Sequence, residues 1–184
     1  MQNADDDAVL VERSAGGDVE AFEVLVTRYQ RVLFKVAMRM LGNYDDANDA
    51  TQAALVKAYQ NLQGFDPRFR FFSWMYRILL NECLNARRSR RRHEHDEVEQ
   101  DAAIEVAGDG TPLDALEQTE RRHRVQKALL ALTDEYRQVV VLRHFAELSY
   151  DDIAATLAIP AKVVKSRLYT ARQRLAELLL VEMT

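Results

Sequence analysis

The chain has 184 residues, of which 48% are hydrophobic, and 29 acidic against 25 basic side chains leave a net charge of −4. That length and apolar content suit one or two small domains with real cores and exclude a disordered tail. The single cysteine, Cys83, excludes an internal disulfide and a cysteine-based zinc site. No apolar run approaches a membrane span and Met1-Gln-Asn-Ala-Asp-Asp-Asp has the wrong charge for a secretory leader, so a cytoplasmic protein is expected.

The N-terminal third reads as helix throughout. Gly16-Gly17 ends a first short helix, Asp18 caps a second that runs to Leu41, and Gly42 closes it. Phe22, Leu25, Val26, Tyr29, Val32, Leu33, Val36 and Met40 recur at helical spacing as the core stripe of that second helix. Asp45 or Asp46 is expected to start a third helix lasting to about Leu62. Gly64-Phe-Asp-Pro67 is a loop, and after it the pattern changes. Phe69, Phe71, Phe72, Trp74 and Tyr76 are interleaved with Arg68, Arg70 and Arg77. Aromatic rings are stacking platforms for unpaired bases and arginines bind phosphates, so the mixture suits single-stranded or melted nucleic acid. Rings at helical spacing equally fill cores, and Trp74 with Ile78 is expected to do so. The helix continues through Asn81 and Asn85 into Arg87-Arg-Ser-Arg-Arg-Arg92. Asparagine can read base edges and the arginine run can grip a backbone, although a basic helix end also complements the macrodipole.

Charge is strongly partitioned. Residues 68–92 hold 8 basic side chains and 1 acidic, residues 94–120 hold 10 acidic and no basic, and residues 121–184 hold 11 basic and 7 acidic. Two basic blocks around an acidic one point to two nucleic-acid contacts joined by a tether, because phosphate affinity follows where cations cluster rather than their total. From Glu94 to about Thr111 the acid density and Gly108-Asp-Gly-Thr-Pro112 argue for a flexible solvated linker. His93-Glu94-His95-Asp96 could suggest a metal, but adjacent residues in a mobile segment converge poorly on one ion, so neither metal nor cofactor is expected.

The stretch from Leu148 to Leu175 reads as a helix-turn-helix. Ser149 can cap its first helix with Asp152 completing a capping box, and Pro160, suited to the first turn of a helix, separates it from the second. Val163, Val164, Leu168, Ala171 and Leu175 would pack the second helix inward. Lys162, Lys165, Ser166, Arg167, Tyr169 and Arg172 would then lie outward, ready for phosphates and base edges.

These features in this order resemble the extracytoplasmic-function (ECF) sigma factors of bacterial RNA polymerase. The residues carrying the resemblance are Phe71-Phe-Ser-Trp74-Met-Tyr-Arg-Ile78 with Asn81, then Leu132, Arg137-Gln-Val-Val-Val-Leu-Arg143, Leu148-Ser-Tyr-Asp-Asp-Ile-Ala154 and Val164-Lys-Ser-Arg-Leu168. The resemblance implies an all-α chain of two small helical domains: region 2 over 1–93, a flexible acidic linker over 94–112 and region 4 over 113–184. It implies a non-enzymatic specificity subunit whose partners are promoter DNA and the polymerase core, through the clamp helices of the largest subunit and the flap of the second-largest, with an anti-sigma factor possible. Phe65, Phe71, Trp74 and Asn81, with Arg87 and Arg88, match the positions that capture flipped bases of the −10 element. Lys162, Lys165, Ser166, Arg167 and Arg172 match the −35 reader, although Pro160-Ala-Lys-Val-Val164 lacks the glycine and threonine usual there.

In the polymerase-docking helix, relatives commonly carry Asp-Ala-Glu-Asp-x-x-Gln-Glu, whereas this chain has Asp46-Ala-Asn48-Asp49-Ala-Thr51-Gln52-Ala53, two carboxylates fewer. Docking through acids should be weakened. Phosphorylation of Thr51 would add about −1.5 to −2 charge, close to what is missing. That resembles the subgroup switched on by a Ser/Thr kinase; equally, Thr51 lies on the stripe of Ala47, Ala54, Ala58 and Leu62 and can be a small core residue. Two rival functions stand beside this: a helix-turn-helix repressor or response-regulator output domain, and a helical mimic that titrates a regulator. An enzyme is not expected, since no convergent acid–base or nucleophile set occurs.

Overall fold

The computed structural model describes residues 2–93 and 112–181. The expected acidic linker, and with it Glu94, His95 and Asp96, lies outside the described residues apart from Pro112. The described residues form α-helices and one 3₁₀ turn, with no strand. The N-terminal domain comprises α1 (Gln2–Ala15), α2 (Val19–Leu41), α3 (Tyr44–Gln60), the 3₁₀ turn Leu62–Gly64 and α4 (Phe71–His93). The C-terminal domain comprises α5 (Pro112–Ala131), α6 (Asp134–His144), α7 (Tyr150–Leu157) and α8 (Ala161–Val181). This is the all-α, two-domain organisation expected from the sequence.

Local chemistry sets the helix ends. Asp18 caps α2 by accepting from Ala21 N at 3.1 Å, and Gly42 ends it at φ 87°, the left-handed geometry glycine tolerates. Helix α3 starts at Tyr44, just before the expected start at Asp45 or Asp46, and its cap is Asn43. Its amide oxygen accepts from Asp46 N at 2.8 Å, and an amide at that position competes well with a carboxylate. In the core, Phe22, Leu25, Leu33, Val36 and Met40 of α2 are buried, with Val26, Tyr29 and Val32 at its margin. They pack on Ala47, Ala50, Ala54 and Ala58 of α3 and on Phe71, Met75 and Leu79 of α4. The alanine face of α3 lets the helices approach closely. Buried Asp7 pins α1 to α2 by accepting from Arg28 and from the Tyr29 hydroxyl, and burial together with that carboxylate raises the Tyr29 pKa.

Buried apolar residues of both domains belong to one core cluster, and polar atoms bond across the boundary as well. Arg137 of α6 is fully buried at 0% exposure. Its guanidinium donates to Leu129 O at 2.7 Å and Leu132 O at 2.7 Å, to Leu130 O, and across the domain boundary to Met40 O at 2.9 Å. Burial, assisted by the nearby charge of Arg87, pushes its pKa down to about 10. Gln126 of α5 donates to Met38 O at 3.2 Å and Arg39 O at 3.4 Å, and Arg39 donates back to its Oε1 at 2.8 Å. The α2 C-terminus is thus capped by the other domain. Gly42 permits this approach: a Cβ there would stand 2.5 Å from Leu130 Cδ1.

Replacing Arg137 by Met keeps most of the volume but strips donors from buried carbonyls. It should lower the unfolding free energy by about 3 kcal/mol or more, since each orphaned buried acceptor costs roughly 1–3 kcal/mol. Asn43→Ala, the loss of one cap, should cost about 1 kcal/mol. Urea titration of the full chain measures both; equal losses would show that the guanidinium does not hold the domains.

Candidate nucleic-acid faces and docking helix

The loop after α3 and the start of α4 build an aromatic cluster. Phe65 stands 5.4 Å from Trp74 and 5.7 Å from Phe71, centroid to centroid. Phe71 is only 5% exposed, and the half-buried rings of Phe65 and Trp74 are the ones left at the rim. Phe71 therefore supports the cluster and offers no face to a base. Trp74 and Ile78 were expected to pack in the core, with Trp74 also matched to the −10 pocket; both pack against the core from its margin and line an open groove of about 800 Å³. That placement follows from the helix, because Phe71, Met75 and Leu79 take the inward side of α4 and turn Trp74 and Ile78 toward its margin.

The groove runs along α4. Trp74, Asn81, Asn85 and Arg88 line it from that helix, and Lys57 and Asn61 from the end of α3. Exposed Asn81 and Asn85, four residues apart, share one face, so two amides able to pair with base edges stand beside a stacking ring and a guanidinium. Lys57 and Asn61 had no signal in the sequence, because only packing brings the end of α3 beside α4. Arg87, expected among the DNA contacts, instead pairs with Asp134 of the C-terminal domain. One residue further round the helix points it away from the groove.

On α8, Lys162, Lys165, Ser166, Tyr169 and Arg172 are exposed while Val164, Leu168 and Ala171 are buried. Val163 and Leu175, expected inward, are only partly buried. Arg167 lies off the outward face: it pairs with Glu135 of α6 at 2.9 Å, its side chain 24% exposed. Tyr169 is 64% exposed and accepts from Gln173 Nε2 at 3.1 Å. Ser149 caps α7 by accepting from Asp152 N at 3.1 Å, and its hydroxyl donates to the Asp152 carboxylate at 2.6 Å. Pro160 stands just before α8, its carbonyl accepting from Val163 N at 2.8 Å.

The outward stripe of α3 is Asp45, Asp49, Gln52 and Val56. Asp46 is half-covered, bonded by Asn43 Nδ2 at 2.6 Å and paired with Arg90 at 3.4 Å, and Asn48 is partly covered too. Asp45 was not among the docking residues expected from the sequence, though its spacing to Asp49 would have found it. Thr51 is 6% exposed and donates its hydroxyl to Ala47 O at 2.7 Å. Cys83 is buried, its thiol pushed up to about 12 by burial. Among the described residues no His, Cys, Asp and Glu group could hold a metal, and no helix is long and apolar enough to cross a membrane.

Two sequence-family models match this chain: sigma-70 region 2 over residues 25–106 and sigma-70 region 4 over residues 122–175. The ECF RNA polymerase sigma factor SigW of Bacillus subtilis is 33% identical over 166 residues, 86% of this chain and 89% of that protein. The ECF RNA polymerase sigma-E factor of Escherichia coli is 33% identical over 174 residues, 91% of each chain. Among solved structures, CnrH in complex with the cytosolic domain of CnrY aligns at a TM-score of 0.73 and 28% identity, covering 96% of this chain and 98% of that one. The sigma factor RpoE with the anti-sigma factor NepR from Bartonella quintana aligns at 0.70 and 28% identity, covering 87% and 97%. With an open groove lined by Trp74 and two asparagines on one domain, a basic helix-turn-helix on the other, and relatives matched over most of both, the chain belongs to the ECF sigma factors of RNA polymerase.

Proposed function

We propose that this chain directs RNA polymerase to two-part promoters without catalysing a reaction of its own. The α3 stripe docks on the clamp helices of the largest subunit, the C-terminal domain meets the flap of the second-largest, the α4 groove holds a flipped base of the −10 element and α8 reads the −35 element. The observation that carries this reading is the groove, in which a stacking ring, two asparagine amides and a guanidinium converge. A duplex-reading repressor would have no use for it. The inhibitor named with the relative from Bartonella supports an anti-sigma partner here as well.

The charge shortfall on α3 supports a finer proposal, that docking is tuned at Thr51 by a Ser/Thr kinase. Because the Thr51 hydroxyl is buried and bonded to Ala47 O, a kinase would reach it only after α3 lifts from the bundle. Thr51→Ala should then abolish activity in cells, and Asn48→Glu with Ala53→Glu should restore it without the kinase. Wild-type activity of Thr51→Ala would leave Thr51 as a packing residue.

Core enzyme with this protein should initiate at a promoter that the protein alone barely binds, since two weak contacts gain by linkage. Tight sequence-specific binding by the free protein would favour a repressor. In the same assay Lys165→Ala should lower promoter occupancy and flatten its salt dependence by about one unit of slope. Arg167→Ala should do less, its guanidinium being held by Glu135. Phe65→Ala should slow strand opening on duplex promoters and be rescued by a template pre-melted over the −10 element. Failure of that rescue would make the loop structural.

A further inference from the structure

Helix α1 packs on α2, on α4 and on the 3₁₀ turn that leads into Phe65, so it reaches both sides of the aromatic cluster. Its Asp7 carboxylate is 4% exposed, although Asp7 is the last of three adjacent acids. A buried charge is costly unless it is paired and hydrogen-bonded. Asp7 is both: it accepts from Arg28 Nη1 and from the Tyr29 hydroxyl, which belong to adjacent residues of α2. The arginine balances the charge. The tyrosine brings none, and what its bond fixes is a ring.

From Tyr29 a line of ring contacts runs to the groove. The Tyr29 ring meets Phe71 edge to face, with 5.8 Å between centroids and 65° between planes. Phe71 in turn meets Phe65 at 5.7 Å and 83° and Trp74 at 5.7 Å and 42°. Phe65 and Phe71 carry no polar atom on their rings, so packing alone sets their tilt. Tyr29 has a polar handle, tied by a charge-assisted bond to a carboxylate that a guanidinium also holds. A site that discriminates one base from another must be held to within about 0.5 Å, by neighbours whose own rotamers are locked. Asp7 and Tyr29 are such neighbours.

We propose that Asp7 of α1, acting through the Tyr29 hydroxyl, is a positioning residue for the −10 pocket. It sets the tilt of Phe71, and Phe71 sets the Phe65 and Trp74 rings on which the flipped base stacks. Neither Asp7 nor Tyr29 contacts the base. The proposal rests on the reading of the α4 groove as the base-holding site, and it gives α1 a part in strand opening beyond packing.

Tyr29→Phe is the informative variant because it removes the hydroxyl alone. Asp7 keeps Arg28, so α1 stays docked, and Phe71 keeps a ring beside it. Trp74 is the single tryptophan of the chain, so its emission reports the cluster directly. In the free full chain, acrylamide should quench Trp74 about twofold more efficiently in Tyr29→Phe and in Asp7→Ala than in wild type, because the rings behind it lose their anchor. Asp7→Asn, whose amide oxygen still accepts from the hydroxyl, should quench like wild type. Val11→Ala removes a buried side chain of α1 without touching the carboxylate; it should lower the urea midpoint and leave quenching unchanged.

With core polymerase, Tyr29→Phe should slow strand opening on a duplex promoter about fivefold, the scale of one lost hydrogen bond, at unchanged affinity for core. A template pre-melted over the −10 element should rescue it. Because the effect travels through the rings, Tyr29→Phe should add nothing to the slowing caused by Phe65→Ala. Wild-type quenching in Tyr29→Phe, the same quenching change in Val11→Ala, or additive slowing with Phe65→Ala would overturn the proposal. Failure of the wild type to initiate with core enzyme would count against the sigma function instead, and the quenching series alone would then decide whether Asp7 sets the rings.

Discussion

Helix ends in this molecule are completed across the domain boundary. An α-helix leaves its last carbonyls without donors, and burying them unpaired is costly. Here α2 is finished by Gln126 and Arg137 of the C-terminal domain, while α7 is finished by Arg77 of the N-terminal domain. Arg137 is the centre of that exchange: three of its acceptors belong to its own domain and one, Met40 O, to the other. It therefore orders the turn between α5 and α6 whatever the partner domain does, and adds a directional bond when the domains close. Among the described residues its carboxylate partner, Asp134, stands at 3.9 Å, so the carbonyl oxygens hold the charge at shorter range.

The functional faces depend on this framework. With the α5–α6 turn fixed, α6 supports α8, and Glu135 draws Arg167 back so that Lys162, Lys165, Ser166, Tyr169 and Arg172 form the outward set. On the other domain the close packing of the α3 alanines against α4 brings Lys57 and Asn61 to the rim of the groove that Trp74, Asn81 and Asn85 line. The interface joins one apolar core cluster that spans both domains with hydrogen bonds and ion pairs across the boundary.

Much of this was legible in the sequence, and the reasons differ by element. The helices of the N-terminal domain, the Asp18 and Ser149 caps and the buried faces of α2 and α8 follow from spacing and local hydrogen bonding, which a sequence states directly. Asn43 as the cap of α3 was missed because Asn43, Asp45 and Asp46 could each serve and only geometry chooses among them. Phe71 and Trp74 were both matched to the −10 pocket and only Trp74 lines the groove, because aromatic residues at helical spacing do not say which ring faces in. The pairing of Arg87 with Asp134 and of Arg77 with α7 joins residues far apart in the chain, and such contacts have no local signal. The missing acids of α3 were visible at once, whereas the burial of Thr51 became plain only in the packed helix.

The central claim is that the two domains complete each other's helices in the free protein and separate when both DNA faces are engaged. Pulsed electron–electron spin resonance between one label on α3 and one on α8 of the full chain measures this most directly. The account predicts a single short, narrow distance distribution for the free protein, replaced by a longer one in the complex with core polymerase and promoter DNA. A broad distribution in the free protein, or an unchanged short distance in the complex, would contradict it.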